Sequence, residues 1–271
     1  FHNIKLFYCE VFVFFTINGM LSCMVLHHSG SFTRQEPSEK YSDERHKVLV
    51  SVEIVLFTIR NGVFEVLVLK RNRPPFLDFW ELPGGLIRLD IGQRGESADD
   101  AALRELTRAA GPTGTSLRYL EQLGTYGDPE RDPREERSIA IAYMGIGANV
   151  AEPPEQNGAS FVPVSYVEDE LSNKLAFDHS IILTDAISKA RMGVEYSRLA
   201  AGFCASSFTV SELRQIHEII LGKKLDPGNF QKKVIAAEGY LTEAGNSERV
   251  PATRGRPAKL YNAEPCFTIG N

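Results

Sequence analysis

WELPGGL (residues 80–86) and RELTRAAG (residues 104–111) together decide how this chain is read. The run from Ala98 to Ala110 has the marks of a helix: Asp99 and Asp100 favour its first turn, Leu103 and Leu106 recur at helical spacing, and Gly111-Pro112 ends it. Acids one turn beyond Glu105 would build a metal site, because carboxylates three or four residues apart share a helical face and jointly hold Mg²⁺. Arg108 and Ala109 occupy those positions instead. Glu105 alone cannot supply the set, and Arg108 puts a fixed cation beside it that favours a bound diphosphate by direct ion pairing.

Outward from this stretch, VLVSVEIVLFTI from Val48 and VFEVLVLKR from Val63 flank Asn61-Gly62, a β-hairpin signal. A loop rich in Pro and aromatics at 72–80 closes on an expected turn at Pro83-Gly84-Gly85. Strands are expected at Leu117–Tyr126, Ser138–Gly147 and Ser160–Pro163, and a helix over Ser180–Met192. Strands and helices alternating in this way give an α/β sandwich. Beyond residue 205, FTVSELRQIHEIILG is an amphipathic helix with a capping signal at Thr209 or Ser211 and apolar Leu213, Ile216, Ile219 and Ile220 on one face. The turn KKLDPG leads to a second helix with Asn229 near its start and Gly239 near its end, then to a hairpin with a basic tip. Helix, turn, helix and hairpin make a winged helix-turn-helix.

The bulk numbers agree with two domains: 271 residues, 43% hydrophobic and 24% charged. A net charge of −5 argues against non-specific coating of nucleic acid, so any nucleic-acid contact must come from a local basic patch. Cys9, Cys23, Cys204 and Cys266 form no CxxC pair, which indicates neither a zinc site nor a disulfide framework and fits a reducing cytoplasm. Residues 6–26 are apolar over nearly the length of a membrane span. They include Glu10, carry only Lys5 as a basic flank, and leave three readings open: an anchor, a signal, or sequence upstream of a start at Met20 or Met24. The expected division is an extension at 1–47, apolar then polar and outside the core, a first domain at 48–200 and a second at 201–271.

Gly85, Glu96, Arg104, Glu105, Leu106 and Gly111 lie in the order of the Nudix box, which the chain therefore resembles. It departs from that pattern in a longer Gly85–Glu96 loop and in the lost Glu-Glu pair. YLEQLGTYGDPERDPR (119–134), LAFDHSIILTDAISKAR (175–191) and the ending NFQKKV…GYLTEAG…GRPAKLY are similar to Nudix-related transcriptional regulators, the group of the NAD-biosynthesis repressor NrtR and its sugar-responsive relatives. The resemblance implies an α/β/α sandwich that senses ADP-ribose or a related nucleotide or sugar, joined to a DNA-binding winged helix. It implies a dimer, an operator duplex as partner, and a repressor or activator that binds its ligand without consuming it. An active pyrophosphohydrolase on ADP-ribose-like substrates is the alternative, drawing ligands from Glu135 or Glu136. Mg²⁺ is expected only if hydrolysis is retained, and otherwise no cofactor or metal is required.

Asn229, Gln231, Lys232 and Lys233 at the front of the second helix, with Arg254, Arg256 and Lys259 in the wing, are candidates for DNA. Arg71, Arg73, Arg108, Arg131 and Arg134 are candidates for the effector's phosphates, and Trp80 or Phe79 for stacking on its base. Glu96, Arg104 and Glu105 are expected to hold the loop to the helix, Asp178 to cap the following helix, and His179 to satisfy a neighbour.

Overall fold

The computed structural model describes residues 47–89, 95–111, 117–134, 136–237, 239–244 and 258–262, and the backbone of three strands before them. Those three, β1 (Phe12–Ile17), β2 (Met20–Leu26) and β3 (Phe32–Gln35), form an antiparallel sheet in the order β1-β2-β3, within a unit that ends at His46. The apolar stretch whose length suggested a possible span thus contains two paired strands. Among the described residues, no helix is long and apolar enough to cross a membrane.

The second unit runs from Lys47 and is built on a seven-stranded sheet. β4 (Val48–Arg60) and β5 (Val63–Lys70) are the expected hairpin, with Asn61 at φ 50° and Gly62 at φ 76° making the turn. β8 (Leu117–Tyr126), β9 (Arg137–Ala148) and β10 (Ala159–Pro163) complete the order β10-β5-β4-β9-β8, with β4 and β9 parallel. β4 is central and covered on both faces, which explains why its sequence is nearly unbroken apolar. Val52, Ile54 and Leu56 face α1 (Ala98–Ala110), while Val55 and Phe57 face α3 (His179–Tyr196). A short turn, α2 (Val164–Tyr166), follows β10. Ala101, Ala102 and Ala109 line the buried side of α1, so the helix backbone packs close to the sheet. The result is the expected α/β/α sandwich.

Two short strands decide where the site lies. β6 (Trp80–Glu81) pairs with β5, and β7 (Gly84–Leu86) pairs with β4, setting Gly84 opposite Glu53 and Gly85 opposite Val52. The Gly-Gly pair expected in a turn therefore sits in a strand. Its reason is proximity and not backbone angle: a Cβ on Gly84 would overlap the Glu53 carboxylate and lie 2.5 Å from the Val52 carbonyl. One on Gly85 would lie 2.6 Å from Glu105 Oε1.

After α3 a 3₁₀ turn at Leu199–Phe203 leads to α4 (Val210–Leu221) and α5 (Pro227–Ala236), then β11 (Thr242–Glu243) paired with β12 (Tyr261–Asn262). Thr209 caps α4 in a capping box with Glu212, an arrangement that contributes about 1 kcal/mol. Asp226 caps α5, with Pro227 in its first turn, so this helix begins two residues before Asn229. Tyr261 exchanges backbone hydrogen bonds with Phe208 at 2.8 and 2.9 Å and joins Leu213 and Ile220 in the core. That core continues through Phe203 and Val194 into the sandwich, and no gap in packing marks residue 200.

Gly84→Ala is expected to lower unfolding free energy by about 1–3 kcal/mol, the usual cost of overpacking, because a backbone carbonyl cannot move aside as a side-chain end can. Urea denaturation of the variant beside wild type checks this.

Candidate functional site

A cavity of 570 Å³ opens where β4, β7 and α1 meet the loops after β5 and β8. Six arginines border it, Arg71, Arg73, Arg88, Arg108, Arg131 and Arg134, against four acids, Glu53, Glu81, Glu105 and Asp132. Glu53 is buried, and desolvation raises its carboxyl to about 8, so near neutral pH it adds little negative charge. The cavity is therefore electropositive and selects anions.

Glu105 is buried, and both its carboxylate oxygens are taken: Oε1 by Arg104 and Oε2 by Arg108 Nε at 2.6 Å. Arg104 also holds Glu96 through Nε at 3.0 Å and Nη2 at 2.5 Å, and reaches the Leu86 carbonyl at 3.1 Å. These bonds pull the Glu96 carboxyl down to about 2. Arg108 reaches the Gly84 carbonyl at 3.1 Å. Glu96, Arg104 and Glu105 thus clamp the loop onto α1. Magnesium of the kind the Nudix box implies does not fit here. Its octahedral shell of waters and substrate oxygens needs one or two free carboxylates to hold it, whereas both oxygens of the surviving acid are taken by guanidiniums and the next turn offers Arg108 and Ala109. Among the described residues, no group of three or more His, Cys, Asp or Glu is placed to hold a metal ion. Glu136 is exposed and does not border the cavity, and Glu135 lies outside the described residues.

The other arginines divide by what already holds them. Arg71 is buried against the Pro75 carbonyl at 2.9 Å and pairs with Glu81. Arg131 donates to both oxygens of Asp178 at 2.9 and 2.8 Å and to Ser138 at 2.9 Å. Both are struts beneath the cavity. Asp178, expected to cap α3, makes no side-chain cap bond because Arg131 occupies it. Arg134 pairs with Asp132 but stays half exposed, and Arg73 and Arg88 make no side-chain hydrogen bond among the described residues. With Arg108, these three are the cations open to a ligand.

Trp80 does not border the cavity: its ring packs on the core with Lys70 Nζ 5.2 Å from its centre, and Phe79 is likewise absent from the lining. The aromatic that does line it is Phe177, at φ 55°, with the guanidiniums of Arg71 and Arg134 at 4.8 and 5.6 Å from its ring centre. Phe177, Glu53 and Arg88 are site residues that the sequence reading missed. An acid inside the apolar run of β4 was the available signal for Glu53.

In the second half of the unit, α5 buries Phe230 and Val234 and exposes the rest. Helical spacing puts Lys232 on the side opposite that buried pair. Asn229 and Lys233 lie on one flank, bordering a cavity beside α3, and Gln231 lies on the other, facing the wing. Lys259 pairs with Glu243 at 2.6 Å across the base of the hairpin. Arg254 and Arg256 lie outside the described residues.

Residues 48–183 match the family model of the NUDIX domain, and residues 202–263 match that of the NrtR DNA-binding winged helix domain. The chain belongs to the Nudix family, among its NrtR-type transcriptional regulators. It is 29% identical over 213 residues to a protein of Acinetobacter baylyi called ADPR responsive transcriptional repressor NtrR, covering 79% of this chain and 81% of that one. An ADP-ribose pyrophosphatase of Methanocaldococcus jannaschii is 31% identical over 130 residues, 46% of this chain and 69% of that one. The crystal structure of Shewanella oneidensis NrtR complexed with a 27mer DNA aligns with TM-score 0.65 and 29% identity, over 80% of this chain and 94% of that one.

In this Nudix regulator His179 is, with Glu53, a buried group of the cavity that stands far from its ordinary pKa. Its Nδ1 accepts from the Leu82 N–H at 3.0 Å, which places the proton on Nε2, 3.6 Å from Glu53 Oε2. Burial and the nearby arginines lower its value to about 3. The unfolded chain takes up that proton near 6.5, so the His179 contribution to stability is lost as pH falls from 6.5 towards 3. Glu53 acts in the opposite sense. Unfolded, it ionises near 4.5, and folded near 8, so its contribution is lost as pH rises through that window. Between pH 6.5 and 8 only Glu53 of the two still changes. Glu53→Gln is expected to remove a decline of roughly 1–2 kcal/mol across that interval. Denaturation curves of both proteins at its two ends provide the check.

Proposed function

We propose that this NrtR-type regulator binds an operator duplex as a homodimer in the cytoplasm, and that ADP-ribose or a closely related nucleoside diphosphate, bound intact and without metal in the arginine-lined cavity, changes that binding. The observation that carries the reading is the replacement of the acid pair by Arg108 and Ala109, with Glu105 held between two guanidiniums. A cavity so charged attracts a diphosphate while lacking the oxygens that Mg²⁺ requires. Phe177 offers a face on which a base or ribose can rest. The Acinetobacter relative carries ADPR response in its name, and the Shewanella relative was crystallised with DNA. The donor set disfavours the hydrolase alternative, because a single neutralised carboxylate cannot hold the metal that would activate water.

On the DNA side, α5 enters the major groove as the recognition helix, with Lys232 foremost and Asn229, Gln231 and Lys233 beside it. Arg254, Arg256 and Lys259 of the wing meet phosphates. Residues 48–200 form the sensing part and 201–271 the reading part.

Fluorescence anisotropy with the duplex upstream of the protein's own gene, a scrambled duplex, fragments of the genomic DNA, and a salt series tests this. Sequence-selective binding that shifts on addition of ADP-ribose is expected. Lys232→Ala should weaken it and, if the contact is to phosphate, reduce the salt slope by about one. Arg108→Ala should raise the ADP-ribose concentration for half effect by roughly 10- to 100-fold, the equivalent of a lost charge-assisted hydrogen bond. Failure to prefer any genomic duplex over scrambled DNA would remove the reading.

A further inference from the structure

A second cavity, of 750 Å³, lies where the end of α3 meets the helix-turn-helix, within the size range of small-molecule sites and at a junction of the kind they favour. It shares no lining residue with the arginine-rich cavity. Val194 of α3 forms one wall, and Leu221, Leu225, Phe230, Val234 and Tyr240 form the others. Apolar surface of this extent gains by shedding water onto an apolar ligand.

Three polar features in that wall select the rest of the ligand. His217 is only 8% exposed, borders the cavity, and its Nε2 has no hydrogen-bond partner among the described residues. A buried ring nitrogen left without a partner costs free energy that a ligand atom would recover. Arg198 and Lys233 also border the cavity, and their side chains make no hydrogen bond or ion pair among the described residues. The remaining charges there are matched: Lys223 pairs with Glu195 at 3.1 Å, Lys224 with Glu218 at 3.2 Å, and Asp226 caps α5. What is left over is two cations and one neutral donor around an apolar chamber.

We propose that this cavity is a second ligand site, separate from the arginine-lined one, for a small organic carboxylate with an aromatic or branched apolar body. The body occupies the chamber between Val194 and Phe230, while the carboxylate faces Arg198 and Lys233 and accepts from His217. Burial and Lys233 lower the His217 ring to about 4, so it stays neutral at physiological pH and carries an N–H for the purpose. An occupant touches α3 on one side and α4 and α5 on the other, and so contacts both the sensing and the reading parts.

Ligand-observed ¹⁹F NMR on the full chain tests the site with 4-(trifluoromethyl)benzoate as probe and 4-(trifluoromethyl)benzyl alcohol as its uncharged match. Saturable benzoate binding is expected, with the alcohol at least roughly tenfold weaker, the loss of one charged contact. Arg198→Glu, which removes a cation, and Ala237→Trp, which fills the chamber from the exposed end of α5, should each weaken the benzoate by a similar factor. With ADP-ribose at saturation the benzoate still binds saturably, because the two ligands do not share a site, and this keeps the test independent of the first cavity. The proposal is overturned by no saturable binding up to millimolar probe, by equal binding of the alcohol, by indifference to both substitutions, or by ADP-ribose competing for the benzoate without limit.

Discussion

Glu105, buried midway along α1 with one oxygen on Arg104 and the other on Arg108, is the point on which this structure turns. A lone buried carboxylate would be costly, and the two guanidiniums make it tolerable while tying α1 to the loop before it and to β7. The same arrangement demands glycine at 84 and 85, since any side chain there would collide with Glu53 or Glu105. Geometry that elsewhere would gather oxygens around a cation gathers arginines around an oxygen pair, and the cavity becomes a receptor for anions.

The cavity and the recognition helix are joined by packing and not by a linker. Arg131 beneath the cavity holds Asp178 at the first turn of α3, α3 packs on α4, and Phe230 anchors α5 to the same core. A ligand that alters the position of the loop carrying Arg131 and Arg134 therefore has a continuous route to α5. Whether it strengthens or weakens DNA binding depends only on which arrangement it prefers.

Much of this was legible from short-range signals. Asn61-Gly62 marked the hairpin, Asp99 and Gly111 bracketed α1, and Thr209 or Ser211 marked the start of α4, where the structure selects Thr209. The sandwich and the winged helix were both legible from pattern, and the family likeness added the class of ligand and the operator duplex. Features set by tertiary approach were not legible. Gly84-Gly85 read as a turn because glycine pairs commonly are, and only the sheet register reveals two carboxylates behind them. Arg131 and Asp178 are 47 positions apart, so nothing local announced their pairing. The only tryptophan attracted the stacking role, while Phe177, held at φ 55°, occupies the cavity. Hydropathy alone could not separate a span from strands at residues 6–26, although Asn18-Gly19 stands between β1 and β2 as a hairpin signal.

If arginine has replaced metal in this cavity, calorimetric titration of ADP-ribose into the full chain, once with EDTA and once with Mg²⁺, shows it most directly. The same affinity is expected in both buffers, with unchanged ADP-ribose recovered at the end. Binding that requires Mg²⁺, or release of AMP in its presence, would contradict the replacement.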